Sequence, residues 1–171
     1  MRQIVLDTET TGIDISQGNR IIEIGCVEVI DRKLTGRTYH QYINPQRESE
    51  PGALDVHGLS SQFLSDKPLF KDVYQAFIDF IRGAELVIHN AAFDIGFLNA
   101  EFNLLDADVG KVEDYAPSVL DSLSIARKKH PGQKNNLNAL CKRYGIDNSK
   151  RDLHGALLDA EILSEVYLIM T

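Results

Sequence analysis

The hydrophobic rhythm of the chain predicts one α/β domain, residues 1–171, built as a mixed sheet flanked by helices. Period-two runs fill much of the first 44 residues, and beyond residue 69 short apolar runs alternate with stretches of helical spacing. The resulting order, β-β-β-α-β-α-β-α-α-α, joins a meander to strand–helix units. Such a chain closes into a sheet with both pairing senses. No internal repeat, low-complexity tract or linker interrupts it.

Residues 2–7 form the first strand, around Ile4, Val5 and Leu6. "TTGIDISQGNR" is polar and Gly-containing, a loop. In "RIIEIGCVEVID", Ile22, Ile24, Cys26 and Glu28 fall on one face and Ile21, Glu23, Gly25, Val27 and Val29 on the other, the alternation of a strand. "DRKLTG" reads as a turn, "RTYHQYIN" as the third strand and "PQRESEPGAL" as an irregular loop. After Pro68, the spacing of Phe70, Val73, Phe77, Ile78 and Ile81 is helical, and Gly83 follows the end. "AELVIHN" is a short strand, and Asn90 is placed to cap the helix "AAFDIGFLNAEFNLL". "DADVGKVEDYAPS" is acidic and loop-like. "VLDSLSIARKKH" runs from a brief strand into a helix, with Asp121 at its cap. "NLNALCKRYGI" is a helix stopped by Gly145, and "GALLDAEILSEVYLIM" is the last helix.

The bulk numbers narrow the function. A chain of 171 residues, 43% hydrophobic and 25% charged, can build a real core. Its net charge of −7 argues against a general duplex-DNA binder, which carries a basic face, but leaves room for nucleic acid held at one site by metal ions. Cys26 and Cys141 lie in apolar stretches without metal-site spacing and read as reduced thiols. With no apolar signal segment and no run of membrane-spanning length, the expectation is a cytoplasmic protein without a membrane partner.

Against that background the acids stand out. Asp7 and Glu9 end the first strand two residues apart, so they share a face. Two like charges at a buried strand end repel, desolvation worsens the repulsion, and a cation is the natural remedy. Asp94 has Asn90, Ala91, Phe97 and Leu98 as its helical neighbours, and Asp159 has Gly155, Ala156, Ile162 and Leu163. Taken singly, Asp94 is a helix cap or dipole partner and Asp159 an edge position. Taken together, four inward carboxylates predict a cation site. All-oxygen ligands select a hard ion such as Mg²⁺ or Mn²⁺, and acids in this number suit a pair of ions sharing ligands, as used in phosphoryl transfer. Glu161 and Glu165, by contrast, read as solvent-facing charges.

The segments "DTETTG", "HNAAFD" and "HGALLDA" resemble the three motifs of the DEDD (DnaQ-like) 3′–5′ exonucleases, the third in the H-x-x-x-x-D form. "RQIVLDTETTG", "IIEIG", "RGAELVIHNAAFDIGF" and "YGIDNSKRDLHGALLDA" extend the likeness over essentially the whole chain, toward the epsilon proofreading family of bacterial DNA polymerase III. The resemblance implies a ribonuclease-H-like fold and a metal-dependent 3′–5′ DNA exonuclease that releases nucleoside 5′-monophosphates. It implies two divalent ions held by Asp7, Glu9, Asp94 and Asp159, and His154 as the general base that takes a proton from the attacking water. Thr10, Thr11 and Gly12 would hold the 3′-terminal nucleotide, with His57 over it and Phe93 near it. His89 and Asn90 match the motif without an assigned role.

The implied partners are single-stranded or frayed 3′ DNA ends, the polymerase subunit of DNA polymerase III, and the small theta subunit. The family reaches the polymerase through a C-terminal tail, which is absent from a sequence ending "YLIMT". RNA-end trimming on the same acids is the competing enzymatic reading. A docking subunit without catalysis would be expected to lack a motif acid or the histidine, and none is missing.

Spacing adds one point. Five residues advance about 140° around an α-helix, so His154 and Asp159 cannot share a face, and His154 is expected on the loop before the helix. His40 reads as a strand residue, His130 as a loop residue and "RKKHPGQK" as a solvated basic loop.

Overall fold

In a computed structural model describing residues 1–171, five strands form one sheet in the order β3-β2-β1-β4-β5. They are β1 (Arg2–Thr10), β2 (Ile21–Ile30), β3 (Lys33–Tyr42), β4 (Glu85–Ile88) and β5 (Val119–Asp121). β1 pairs antiparallel with β2 and parallel with β4, and β4 pairs parallel with β5. The meander and the strand–helix units therefore meet at β1, which is central.

Eight helices cover the sheet: α1 (Pro51–His57), α2 (Ser61–Leu64), α3 (Phe70–Ile81), α4 (Ala91–Asn103), α5 (Val112–Tyr115), α6 (Ser122–Lys129), α7 (Leu137–Tyr144) and α8 (Ala156–Met170). Alternation along β1 divides the core in two. Ile4 and Leu6 pack with Phe77, Ile81, Phe97 and Phe102 of α3 and α4. Val5 packs with Leu140 of α7 and Leu163 and Val166 of α8. Asp7 and Glu9 continue the Val5 side toward α8, and Thr8 continues the side facing α4.

The structure departs from the sequence reading in a few places. β1 runs to Thr10 rather than ending at residue 7, because β2 pairs with it as far as Glu9↔Glu23 and Thr10↔Ile21. β3 begins at Lys33. The hairpin turn is only Asp31 and Arg32, whose φ values of +49° and +66° are those of a tight two-residue turn. α5 lies within a segment that reads as loop, α1 overlaps the end of another, and α2 falls in a stretch with no element signal; all three are too short to show a periodic stripe. Their punctuation is visible in retrospect: Pro51 opens α1, Gly58 closes it at φ +67°, and the Ser60 hydroxyl caps α2 by accepting from Phe63 N. Asn90 does not cap α4 through its side chain. It adopts a left-handed backbone (φ +68°), and its own N–H is held by Asp121 Oδ1 at 2.9 Å. The same oxygen accepts from Leu123 N and caps α6, tying β4, β5 and two helix starts together.

Candidate active site

β1, β4 and β5 run parallel and finish at one edge of the sheet, the edge where α/β proteins build their sites. β1 loses its β4 partner after Val5, so Asp7 and Glu9 project where the sheet opens. α8 delivers Asp159 to the same place through an unusually close approach. A Cβ on Gly25 would stand 2.4 Å from Ala156 C and 2.3 Å from Leu157 N, so only glycine lets the first turn of α8 rest on β2. Glu23, two residues before it, accepts from Ala156 N at 3.0 Å and satisfies a free donor of that turn. Asp94 arrives from the first turn of α4 and accepts from the Thr8 hydroxyl at 2.6 Å.

These side chains line a cleft of about 220 Å³ with Asp7, Glu9, Asp94, His154 and Asp159 on its walls, together with Phe93 and Arg151. Ligand atoms of Glu9, His154 and Asp159 lie within 4.8 Å of one another. Asp7 Oδ2 is buried without any hydrogen-bond partner. Burial, then the charges of Asp94, Glu9 and Asp159, push the Asp7 carboxyl well above the usual carboxylate range. Burial, followed by Asp159 and Glu23, raises Glu9 to about 8. Burial raises Asp94 to about 7 against the opposing Thr8 hydrogen bond. An orphaned buried oxygen beside mutually repelling carboxylates, with an imidazole at their rim, fits hard divalent cations.

His154 sits on the loop before α8, and its N–H donates to Val56 O of α1 at 2.9 Å. Burial, then the nearby Arg151, lower its pKa, so the ring is uncharged at neutral pH with a nitrogen lone pair available.

A second hollow of about 460 Å³ adjoins the first and shares Thr8, Glu9 and Phe93 with it. Thr10, Gly12, Ile13, Val56 and His57 complete much of its wall. The structure thus gathers His57, Phe93, Thr10 and Gly12 around one hollow. Thr11 is the exception. It is wholly buried, donates to Asn19 Oδ1 at 2.8 Å and accepts from Arg20 N, so it braces the loop instead of facing the hollow. His89 is also engaged elsewhere: its Nε2 donates to Asn135 O at 2.7 Å and its Nδ1 accepts from Ser122 Oγ.

Sequence reasoning missed Arg151, whose Nε and Nη2 bind Asp159 at 2.7 and 3.0 Å. Its one visible signal was a basic residue inside the third motif segment, "KRDLHGALLDA". Glu50, at the cap of α1, and Ala53, inside it, also line the larger hollow and carry no sequence signal, because so short a helix shows no periodic stripe.

The fold is shared with known nucleases. The nuclease domain of 3′hExo, a DEDDh family member solved bound to rAMP, superposes with a TM-score of 0.82 at 19% identity, covering 99% of this chain and 90% of that one. Exonuclease I gives 0.81 at 18%, over 96% of this chain and 39% of its own. These establish the ribonuclease-H-like fold. A family model described as exonuclease matches residues 4–167. DNA polymerase III subunit epsilon of Salmonella typhimurium is 60% identical over 99% of this chain and 71% of its own length. That of Escherichia coli is 59% identical over the same shares. The chain belongs to the exonuclease family, in its DNA polymerase III subunit epsilon branch. The family implies divalent metal ions, in keeping with the acidic cleft.

Proposed function

We propose that residues 1–171 form one catalytic domain, a 3′–5′ exodeoxyribonuclease that removes the terminal nucleotide of single-stranded or frayed DNA and proofreads for a replicative polymerase. Asp7, Glu9, Asp94 and Asp159 would hold two divalent ions, Mg²⁺ or Mn²⁺. Ions bound there supply positive charge to the scissile phosphate and make a water more acidic. His154 takes the proton from the attacking water, a task suited to a ring kept neutral by its surroundings. Phe93 and His57 flank the larger hollow, with Thr10 and Gly12 on its wall, and would seat the terminal nucleoside. Because only the strand end has to be held, the −7 charge of the chain is no obstacle.

The polymerase subunit, and theta through the catalytic domain, are the partners in this proposal, with the cytoplasm as the setting. The name of the relatives supports the polymerase association. No helix is long and apolar enough to cross a membrane.

The observation that carries the proposal is the orphaned, buried Asp7 Oδ2 beside Glu9, Asp94 and Asp159. The test is gel-resolved digestion of a 5′-labelled single strand with Mg²⁺ and with a chelator, beside the Asp7→Ala protein and a matched RNA. A metal-dependent ladder shortening from the 3′ end of DNA, absent in the variant, is expected. Cleavage that persists in a clean preparation of the variant would overturn the site assignment, and preference for the RNA would overturn the substrate.

A further inference from the structure

Arg151 is the one cation inside the cleft, and it is thoroughly engaged. Its side chain is 8% exposed. It lies in the segment between α7 and α8, and its Nη1 donates to Asn138 Oδ1 of α7 at 2.8 Å. The guanidinium takes both oxygens of Asp159, Nε to Oδ1 and Nη2 to Oδ2. Nη2 also stands 3.2 Å from His154 Nδ1. Arginine has donors only, so in that contact His154 Nδ1 is the acceptor and its lone pair points at the guanidinium. One side chain therefore occupies both an acid's oxygens and a histidine's basic nitrogen.

A divalent ion binding the same carboxylate would sit roughly 4 Å from the guanidinium, given ordinary metal–oxygen and hydrogen-bond lengths. Two cations at that distance in a desolvated cleft repel strongly. The fork of arginine gains most when both oxygens are available, and an ion removes at least one of them. The segment carrying Arg151 is largely open to solvent: Ser149, Lys150, Asp152 and Leu153 are exposed. Its polar ties beyond Arg151 include Asn148 Nδ2 to Asn138 Oδ1 and the His154 N–H to Val56 O.

We propose that Arg151 is a positioning residue that competes with a divalent ion for Asp159, so that loading the ion and releasing the His154 lone pair are one event. The inference rests on the reading of Asp159 as an ion ligand given above. Arg151 stabilises the acidic cleft until an ion takes over its charge. Its departure from Asp159 also withdraws it from His154, and the base becomes free to accept a proton only when the ion is in place.

Arg151→Gln and Arg151→Lys test this in the 171-residue chain, stripped with a chelator and dialysed. Mn²⁺ is titrated calorimetrically, and thermal midpoints are taken with and without Mn²⁺. Removing a competing unit charge is expected to tighten Mn²⁺ binding by about tenfold in the Gln variant. Its chelated form should melt lower than wild type, and its gain in midpoint on adding Mn²⁺ should be larger. The Lys variant, which keeps the charge and loses the fork, should bind about threefold tighter than wild type. Wild type that binds Mn²⁺ while the Gln variant binds it equally or more weakly would overturn the competition and leave the ion site standing. Should the Gln variant not fold, equal or weaker binding by the Lys variant has the same force. Failure of wild type and variants alike to bind Mn²⁺ would overturn the ion site itself, and the competition with it.

Discussion

Asp94 and Glu101 lie about two turns apart on α4, 3% and 2% exposed, in sharply different company. The Glu101 carboxylate receives Arg20 Nε and Nη2 at 2.8 and 2.6 Å and the Ile21 N–H at 3.0 Å. Asp94 receives the Thr8 hydroxyl and no cation, and burial holds it near pKa 7. The same division runs through the molecule. Glu28 is paired with Arg2 and Arg37, and Glu23 with His40 and the first N–H of α8. Asp7 and Glu9, in the cleft, have no such partners and are driven toward protonation. With Asp159 as the exception, since Arg151 holds it inside the cleft, a buried acid with a partner from its own chain belongs to the architecture, whereas a cluster of buried acids without one is prepared for charge from outside.

Neutralising an acid on each side of that division should give opposite phenotypes. Asp94→Asn is expected to lower the cleavage rate by about 10³-fold, several kcal/mol of lost charge stabilisation, in a protein that stays folded. Rates from single-turnover digestion with circular dichroism alongside check both halves. Glu101→Ala should do the reverse. Stranding Arg20 and Ile21 N costs about 3–5 kcal/mol, and at roughly 2–4 °C per kcal/mol the midpoint falls visibly in a melting curve. Cleavage per folded molecule should be close to wild type.

Gly25→Ala probes the joint between the two regions. Its methyl meets the backbone of Ala156 and Leu157, so α8 must shift and carry Asp159 with it. The cost is about 1–3 kcal/mol, with weakened metal binding as well as a lowered midpoint. Calorimetric Mn²⁺ titration beside a melt separates the two effects.

The gentlest probe is pH. Glu9 rises from the usual 4.5 to about 8 and Asp94 from 3.8 to about 7 on folding, so the folded protein binds more protons than the unfolded chain between those values. Their contribution is fully present below pH 4 and is lost as pH rises through about 7 and 8. His154 works the other way near its own lowered pKa. In chelator the midpoint should therefore fall from about pH 5 to pH 8 and level off above that, and Mg²⁺ should flatten the fall by replacing the protons.

The sequence showed the helices with long apolar stripes, and the Asp7–Glu9 pair, because strand alternation needs only neighbouring residues. It could not show which buried acids have partners. Glu101 looks as inward as Asp94 along α4, and its partner Arg20 is 81 residues away, on a loop whose path depends on the completed sheet. Arg151 escaped notice because it lies on an irregular segment and acquires meaning only when α8 docks against Gly25. The motif places Thr11 at the nucleotide with its neighbours, yet just past the register shift between Glu9 and Thr10 its hydroxyl is buried and donates to Asn19.

The most direct measurement places Asp7→Asn beside Glu101→Gln, near-isosteric neutral replacements on the two sides of the comparison. Thermal midpoints are taken in chelator, and Mg²⁺-dependent cleavage of a labelled DNA strand is followed at the same pH. Asp7→Asn should match or exceed the wild-type midpoint and lose cleavage, while Glu101→Gln should melt lower and cut normally. A lowered midpoint with retained cleavage in Asp7→Asn would contradict the account, because Asp7 would then belong to the architecture and not to the ion site.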